Sequence, residues 1–309
     1  MSDNNKGWLH SDIYDGANAS EPLTRTSLFK FGTFRNFVES FLRFLSQIFI
    51  AGFLFSMLFL LFTDPAMQED DLYFVATWEI VKVICVTISV LLASKIFSDI
   101  EIADLGLKLD RQALQDSLMG FVFVAVLFIF EFFIFQMLGW FVIESVIWET
   151  QSFATVLSNT LLMLFVYVLV GWSEELLSRG FHLRIFSRGL NRPLGILLSS
   201  ALFAFLHTAN PGMTDFGLLF IFLAGTVLAM AFLRTGQLWL AMGIHAGWDF
   251  FVQVGWGQSI SGLQLFHLMD VHFQSTLPNS FIFAVLEFGV IALFVRFYTA
   301  HRQPRFVDW

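Results

Sequence analysis

The chain has one cysteine, Cys85, among 309 residues, so no disulfide can form within it. Charge is also scarce. Only 14% of residues are Asp, Glu, Lys or Arg, against about 25% in an ordinary soluble domain. There is no basic tract, and the net charge of −8 argues against nucleic acid as a partner. The N-terminus carries no short apolar region followed by a small-residue cleavage site, so no signal peptide is expected. The chain has no GxSxG nucleophile elbow and no helical HExxH pair, which removes the usual motif of a serine hydrolase and that of a zinc peptidase.

What is abundant is hydrocarbon. Apolar residues make up 57% of the chain, 41 of them phenylalanine, and the mean hydropathy is +0.72. A helix that spans ~30 Å of hydrocarbon needs ~20 apolar residues. On that criterion the sequence predicts an all-α, polytopic transmembrane bundle of about eight spans. They lie near 37–62, 73–97, 117–140, 153–173, 194–209, 216–233, 238–256 and 280–297, with the fifth and sixth short. Basic residues alternate between the connections. Lys6, Arg25, Lys30 and Arg35 lie in the polar tail (1–36), Lys108 and Arg111 in 98–116, Arg179, Arg184, Arg188 and Arg192 in 174–193, Arg234 in the next short connection, and Arg296, Arg302 and Arg305 at the end. The intervening loops 63–72, 141–152, 210–215 and 257–279 contain no Lys or Arg. By the positive-inside rule both termini are expected in the cytoplasm. Segment 98–116 reads as an interfacial stretch lying along the membrane. The chain divides into the tail, a 37–150 unit with the first three spans, a 151–256 core, and 257–309 with the outer loop, last span and C-terminal tail. The expected location is a cell membrane, that of a prokaryote, with the bilayer as a constant partner.

Ionisable groups inside hydrocarbon are costly and mark functional sites. The densest group is Gly171–Gly180, GWSEELLSRG. On a helix Glu175 and Arg179 share a face at i,i+4, whereas Glu174 points about 100° away with no cation on its own helix. Glu174 is thus a candidate general base. The plainer alternative is a salt-bridge cluster at a helix end. Phe203 and His207 share a face of the fifth span, and His245 and Asp249 a face of the seventh, each pair at i,i+4. Either pair could instead be an ordinary buried hydrogen-bonding group. Gly243 and Gly247 allow a neighbouring helix to approach closely. Glu79 and Lys82, three apart in the second span, can neutralise each other. Glu131 and Glu287 are further acids within spans, and Glu79, Lys82 and Glu131 are the residues a small transporter would use. His267, Asp270 and His272 read as a solvated outer loop.

In order, Glu174-Glu175-xxx-Arg179, Phe203-xxx-His207 and His245-xxx-Asp249 resemble the three motifs of the CAAX prenyl endopeptidase and bacteriocin-processing family. Its members are intramembrane glutamate-type proteases, of which the Ras-converting endopeptidase is the best-known eukaryotic branch. The resemblance covers about residues 153–256; the first 150 residues match only in hydropathy. It implies a hydrolase that cuts a peptide bond without metal, in a peptide or protein substrate that can be lipidated. Glu174 would activate water with His207 assisting, His245 and Asp249 would stabilise the oxyanion, and Glu175, Arg179 and Phe203 would support. The family motif often ends in Asn where this chain has Asp249. An ionised Asp only accepts hydrogen bonds, so Asp249 is either protonated or orients His245. Two alternatives stay open: zinc held by Glu174, His207 and His245, and a non-catalytic scaffold, immunity protein or transporter. Depth is a tension in this reading, because Glu174 would lie ~30 Å along the fourth span, whereas His207 ends a span running the other way. Either residues 180–195 dip into the membrane or the fourth helix begins beyond the outer interface.

Overall fold

The computed structural model describes residues 34–62, 72–97, 102–210, 212–255, 265–270 and 281–301. Residues 1–33 of the polar tail, most of the 63–72 and 257–279 loops, His272 and residues 302–309 lie outside the described residues. The rest is an all-α bundle. Its helices are α1 (Phe34–Phe62), α2 (Leu72–Phe97), α3 (Arg111–Met137), α4 (Phe153–Glu175), α5 (Leu183–Gly189), α6 (Arg192–Leu206), α7 (Asp215–Thr235), α8 (Trp239–Phe250) and α9 (Phe281–Tyr298). A π-helical stretch, Leu176–His182, joins α4 to α5 without a break, and a second, Phe251–Gly255, continues α8. The composition does not announce one feature, a small antiparallel ribbon. Strand β1 (Phe141–Val146) pairs with β2 (Phe266–Asp270), with Phe141 opposite Asp270 and Val146 opposite Phe266. The expected loop 141–152 is therefore partly strand, and His267 and Asp270 are strand positions.

Short polar residues set the helix starts. The side chains of Asp110, Ser152, Asn191 and Thr214 accept the backbone N–H of Ala113, Thr155, Leu194 and Gly217 at the starts of α3, α4, α6 and α7. Each satisfies one of the amides that a first helical turn leaves without a partner. The Ala113 N–H holds the Asp110 carboxyl below its usual range. The α7 helix ends at Gly236 in the left-handed conformation, φ 64°, which glycine adopts without steric cost.

Among the described residues six segments are long and apolar enough to cross a membrane: α1, α2, α3, the continuous Phe153–Gly189 segment, α7 and α9. Large apolar side chains such as Phe49, Phe130, Phe133, Leu161 and Phe297 face outward from them, as a lipid-exposed surface requires. The expected fifth and seventh spans correspond to α6, with 15 residues, and α8, with 12. Neither reaches the ~20 residues a crossing needs. For α8 the reason is its place in the bundle. Residues 240–247 are all buried, so it is apolar all round because protein encloses it.

Two expectations change. Residues 174–193 are not a loop, because the helix runs through Glu174 to Gly189. Arg179 and Arg184 are buried, the first against Glu175 and the second against the carbonyl of Asp104. Their positive charge is satisfied inside the protein rather than displayed at a membrane surface. Segment 98–116 is not wholly interfacial either. Its described part forms a 3-10 turn, Ile102–Leu105, and the start of α3. Leu105 is fully buried in a core with Leu176, Phe181, Phe232 and Leu238.

Glycine lets α8 lie at the centre. A Cβ on Gly243 would sit 2.2 Å from the Ser117 carbonyl oxygen, and one on Gly120 would sit 2.8 Å from backbone atoms of Leu240 and Ile244. On its other side, a Cβ on Gly171 would meet the Met242 carbonyl at 3.1 Å. The clash at Gly243 is with rigid backbone, so Gly243→Ala must part α3 from α8. The expected cost is roughly 1–3 kcal/mol, the usual range for overpacking, read as a lower unfolding midpoint in detergent. An unchanged midpoint would show that the two helices do not touch this way.

Candidate active site

Antiparallel pairing of two helical arms accounts for the depth of the site. Glu174 precedes Leu190, at the turn, by 16 residues, and His207 follows it by 17. At 1.5 Å per residue each arm climbs about 24 Å from the turn, so the two side chains arrive at one level. The Asn191 cap reverses the chain and Gly195 lets α6 press against Ser187 at the end of α5. Residues 180–189 continue the helix through the protein interior.

At that level, oxygens and nitrogens from α4, α6 and α8 converge. Glu174 Oε2 lies 3.5 Å from His207 Nε2 and 3.7 Å from His245 Nε2, and it is buried without a hydrogen-bond partner. His207 caps the end of α6, and its Nδ1 lies 2.7 Å from the Phe203 carbonyl oxygen. A carbonyl can only accept, so Nδ1 carries the proton, and in the neutral ring Nε2 presents its lone pair toward Glu174. The Phe203 ring stands edge-on to both imidazoles and lies under the Arg179 guanidinium, 4.3 Å from its centre.

His245 is held from both ends. Its Nδ1 lies 2.7 Å from Glu175 Oε1 and its Nε2 lies 3.3 Å from Asp249 Oδ2. Glu175 is fully buried, and the same oxygen accepts from Arg179 at 2.6 Å. Arg179 also donates to the Gly225 carbonyl on α7 at 3.2 Å. The carboxylate at His245 Nδ1 is therefore Glu175, with Asp249 at the other nitrogen. The i,i+4 spacing anticipates the Glu175–Arg179 pair. It does not reveal that Glu175 also reaches across to α8. The π-helical stretch begins directly after Glu175, and such widened turns are common at functional sites.

A fourth helix joins where the sequence pattern places none. Lys82 on α2 donates to Glu174 Oε1 at 3.2 Å and lies 2.8 Å from Glu79 Oε2. Glu174 has no cation on its own helix, but it has one from 92 residues earlier. The Glu79–Lys82 pair is present as the spacing suggests, and it belongs to this cluster. The signal for it was a solitary lysine inside a span. Glu131 and Glu287 lie apart, interacting with each other between α3 and α9.

The cluster opens on a cavity of about 850 Å³. Glu79, Lys82, Glu174, His207, His245 and Asp249 line one part of it, and apolar and aromatic side chains line much of the remainder, among them Trp78, Val166, Phe220 and Phe288. A largely apolar chamber with a few convergent polar groups is the usual form of a substrate site. Among the described residues no group of three or more His, Cys, Asp or Glu side chains has the arrangement of a metal site.

Residues 156–251, about a third of the chain, match the model of a family described as Rce1-like, type II CAAX prenyl endopeptidase. The matched stretch contains α6, α7 and Glu174, Glu175, His207, His245 and Asp249, but not Glu79, Glu131 or Glu287. No curated protein and no solved structure matches the chain.

Proposed function

We propose that this chain, a member of the CAAX prenyl endopeptidase and bacteriocin-processing family and so a membrane-embedded hydrolase of peptide bonds, cuts its substrate with water activated by Glu174 and His207. The observation that carries the reading is Glu174 Oε2, a buried acceptor without a hydrogen-bond partner that faces two imidazole nitrogens at the wall of the cavity. Two acceptors 3.5 Å apart suit a molecule that donates to both. Water lying on the cavity side of Glu174 Oε2 and His207 Nε2, within reach of both, would give one hydrogen to each and keep its lone pairs for the scissile carbonyl.

In the proposed reaction Oε2 takes a proton as the water oxygen bonds to the carbonyl carbon. The developing oxyanion needs a donor, and His245 is the candidate. Both its nitrogens face carboxylate oxygens, and only a ring protonated on both can donate to both. Glu175 holds Nδ1, and Nε2–H, shared with Asp249, turns to the oxyanion. The C–N bond then breaks, and the proton on Glu174 passes to the leaving amine. In this reading Asp249 stays an acceptor and needs no proton of its own.

The reading is metal-free because the Lys82 ammonium already engages Glu174 Oε1, and a dication beside it would be repelled. Activity that survives chelators supports this, and stoichiometric zinc in purified protein overturns it. The substrate is a peptide or protein presented from the bilayer. A lipidated C-terminal tail, a peptide precursor and a membrane-anchored regulator share that chemistry. The direct test compares peptide termini in membranes carrying the wild type with those carrying Glu174→Ala. We expect new termini that depend on Glu174; identical termini in the two samples would end the proteolytic reading.

A further inference from the structure

We infer that Lys82 and Glu79, on α2, are the positioning arm of this site: Lys82 fixes Glu174 through Oε1 and Glu79 steadies Lys82, so that Oε2 is the oxygen left facing the imidazoles. The catalytic consequence rests on the proteolytic reading above; the contact itself does not. Both residues lie outside the 156–251 match.

Three observations carry the inference. First, the two oxygens of Glu174 are used unequally: Oε1 accepts from Lys82 at 3.2 Å, whereas Oε2 has no hydrogen-bond partner. A carboxylate free to rotate about its last bond would exchange the two, so an ammonium on one oxygen sets which one works. Second, among the described residues Lys82 is the only Lys or Arg lining the cavity, where it lies against two carboxylates, Glu79 and Glu174. An ammonium on a flexible four-carbon stem acts as a point charge that can serve two carboxylates at once. Placing it between Glu79 and Glu174 leaves part of the Glu174 charge uncompensated, as a base requires. Third, α2 is held to α4 independently of the lysine. Trp172 Nε1, two residues before Glu174, donates to Thr87 Oγ1 at 3.1 Å, and Val90 and Ala93 on α2 are buried in the core with Leu176. The register of α2 therefore does not depend on the ion pair, and removing the ammonium tests position rather than folding.

The experiment uses the full-length chain in bilayers. Infrared difference spectra identify the carboxylate band that disappears in Glu174→Gln, and the same band is then followed in Lys82→Met. We expect it to shift; an unmoved band shows that Lys82 does not act on Glu174 and overturns the inference, whatever the protein cleaves. Kinetics use a quenched-fluorophore peptide spanning the cut found by the comparison of termini. We expect Lys82→Met to lower kcat about 10²-fold, the scale at which small misplacement acts, with KM within about threefold. Glu79→Gln, nearly isosteric, should lower kcat about tenfold, and it carries the test if Lys82→Met does not fold. An unchanged kcat in these variants overturns the inference. Should wild type and Glu174→Ala give identical termini, the proteolytic reading fails, and the infrared result still decides the contact.

Discussion

Glu174→Gln should lower kcat for peptide hydrolysis by about 10²–10⁴, the contribution of a positioned general base, with little change in stability. The substitution is chosen for what it keeps. Glutamine has nearly the same shape, and its amide oxygen can still accept from Lys82 at the 3.2 Å position of Oε1. What disappears is the second carboxylate oxygen, the atom that stands between His207 Nε2 and His245 Nε2. Its replacement, an NH₂ group, donates and cannot take a proton from water. The measurement is single-turnover cleavage in detergent or bilayers, with the unfolding midpoint taken on the same preparation. A rate within about threefold of wild type, at unchanged stability, would mean that Glu174 is not the base.

Arg179→Met should be the most destabilising single substitution at the site, costing about 3–5 kcal/mol, as loss of one partner from a buried ion pair does. Arg179 is 1% exposed and Glu175 0%. The guanidinium joins three elements at once: Glu175 on α4, the Gly225 carbonyl on α7 and the face of Phe203 on α6. Methionine fills part of the volume and supplies none of the donors, so a buried carboxylate and a carbonyl lose their partner. Native domains are stable by only about 5–15 kcal/mol, so the loss is a large share of the total. The double variant Arg179→Met/Glu175→Leu should regain part of the stability, because an apolar pair can replace a buried ion pair at little cost. It should remain inactive, because His245 Nδ1 then has no carboxylate. Unfolding in denaturant checks the first expectation and cleavage the second. A single-variant loss under about 1 kcal/mol, or an active double variant, would show that the pair does not organise the site.

These outcomes bear on how far local pattern reaches. The Glu175–Arg179, Phe203–His207 and His245–Asp249 relations are all i,i+4 on a single helix, where spacing alone makes neighbours, and the structure brings each pair together. Glu79 and Lys82 at i,i+3 are a further example. Helix starts obey the same local logic in the structure, because a capping Asp, Ser, Asn or Thr acts on amides two or three residues away. The misreadings have one cause. The arginines of 174–193 looked like a basic loop because charge in a sequence carries no information about whether a partner is buried beside it. The enclosure of α8 was hidden in the same way, because an apolar segment enclosed by protein and one enclosed by lipid have the same composition. The Lys82–Glu174 contact and the reach of Glu175 to His245 join residues 92 and 70 positions apart, and no periodicity records such distances.

The sequence by itself thus determined that this is a helical membrane protein and which polar side chains share a helix face, because hydropathy and i,i+4 spacing act within one segment. Tertiary structure alone decided that Glu174 meets Lys82, His207 and His245. That meeting depends on how α2, α4, α6 and α8 are set against one another, through the equal arms about Leu190 and the glycine contacts that let α8 into the centre. Those are relations between backbones, and only the folded chain defines them.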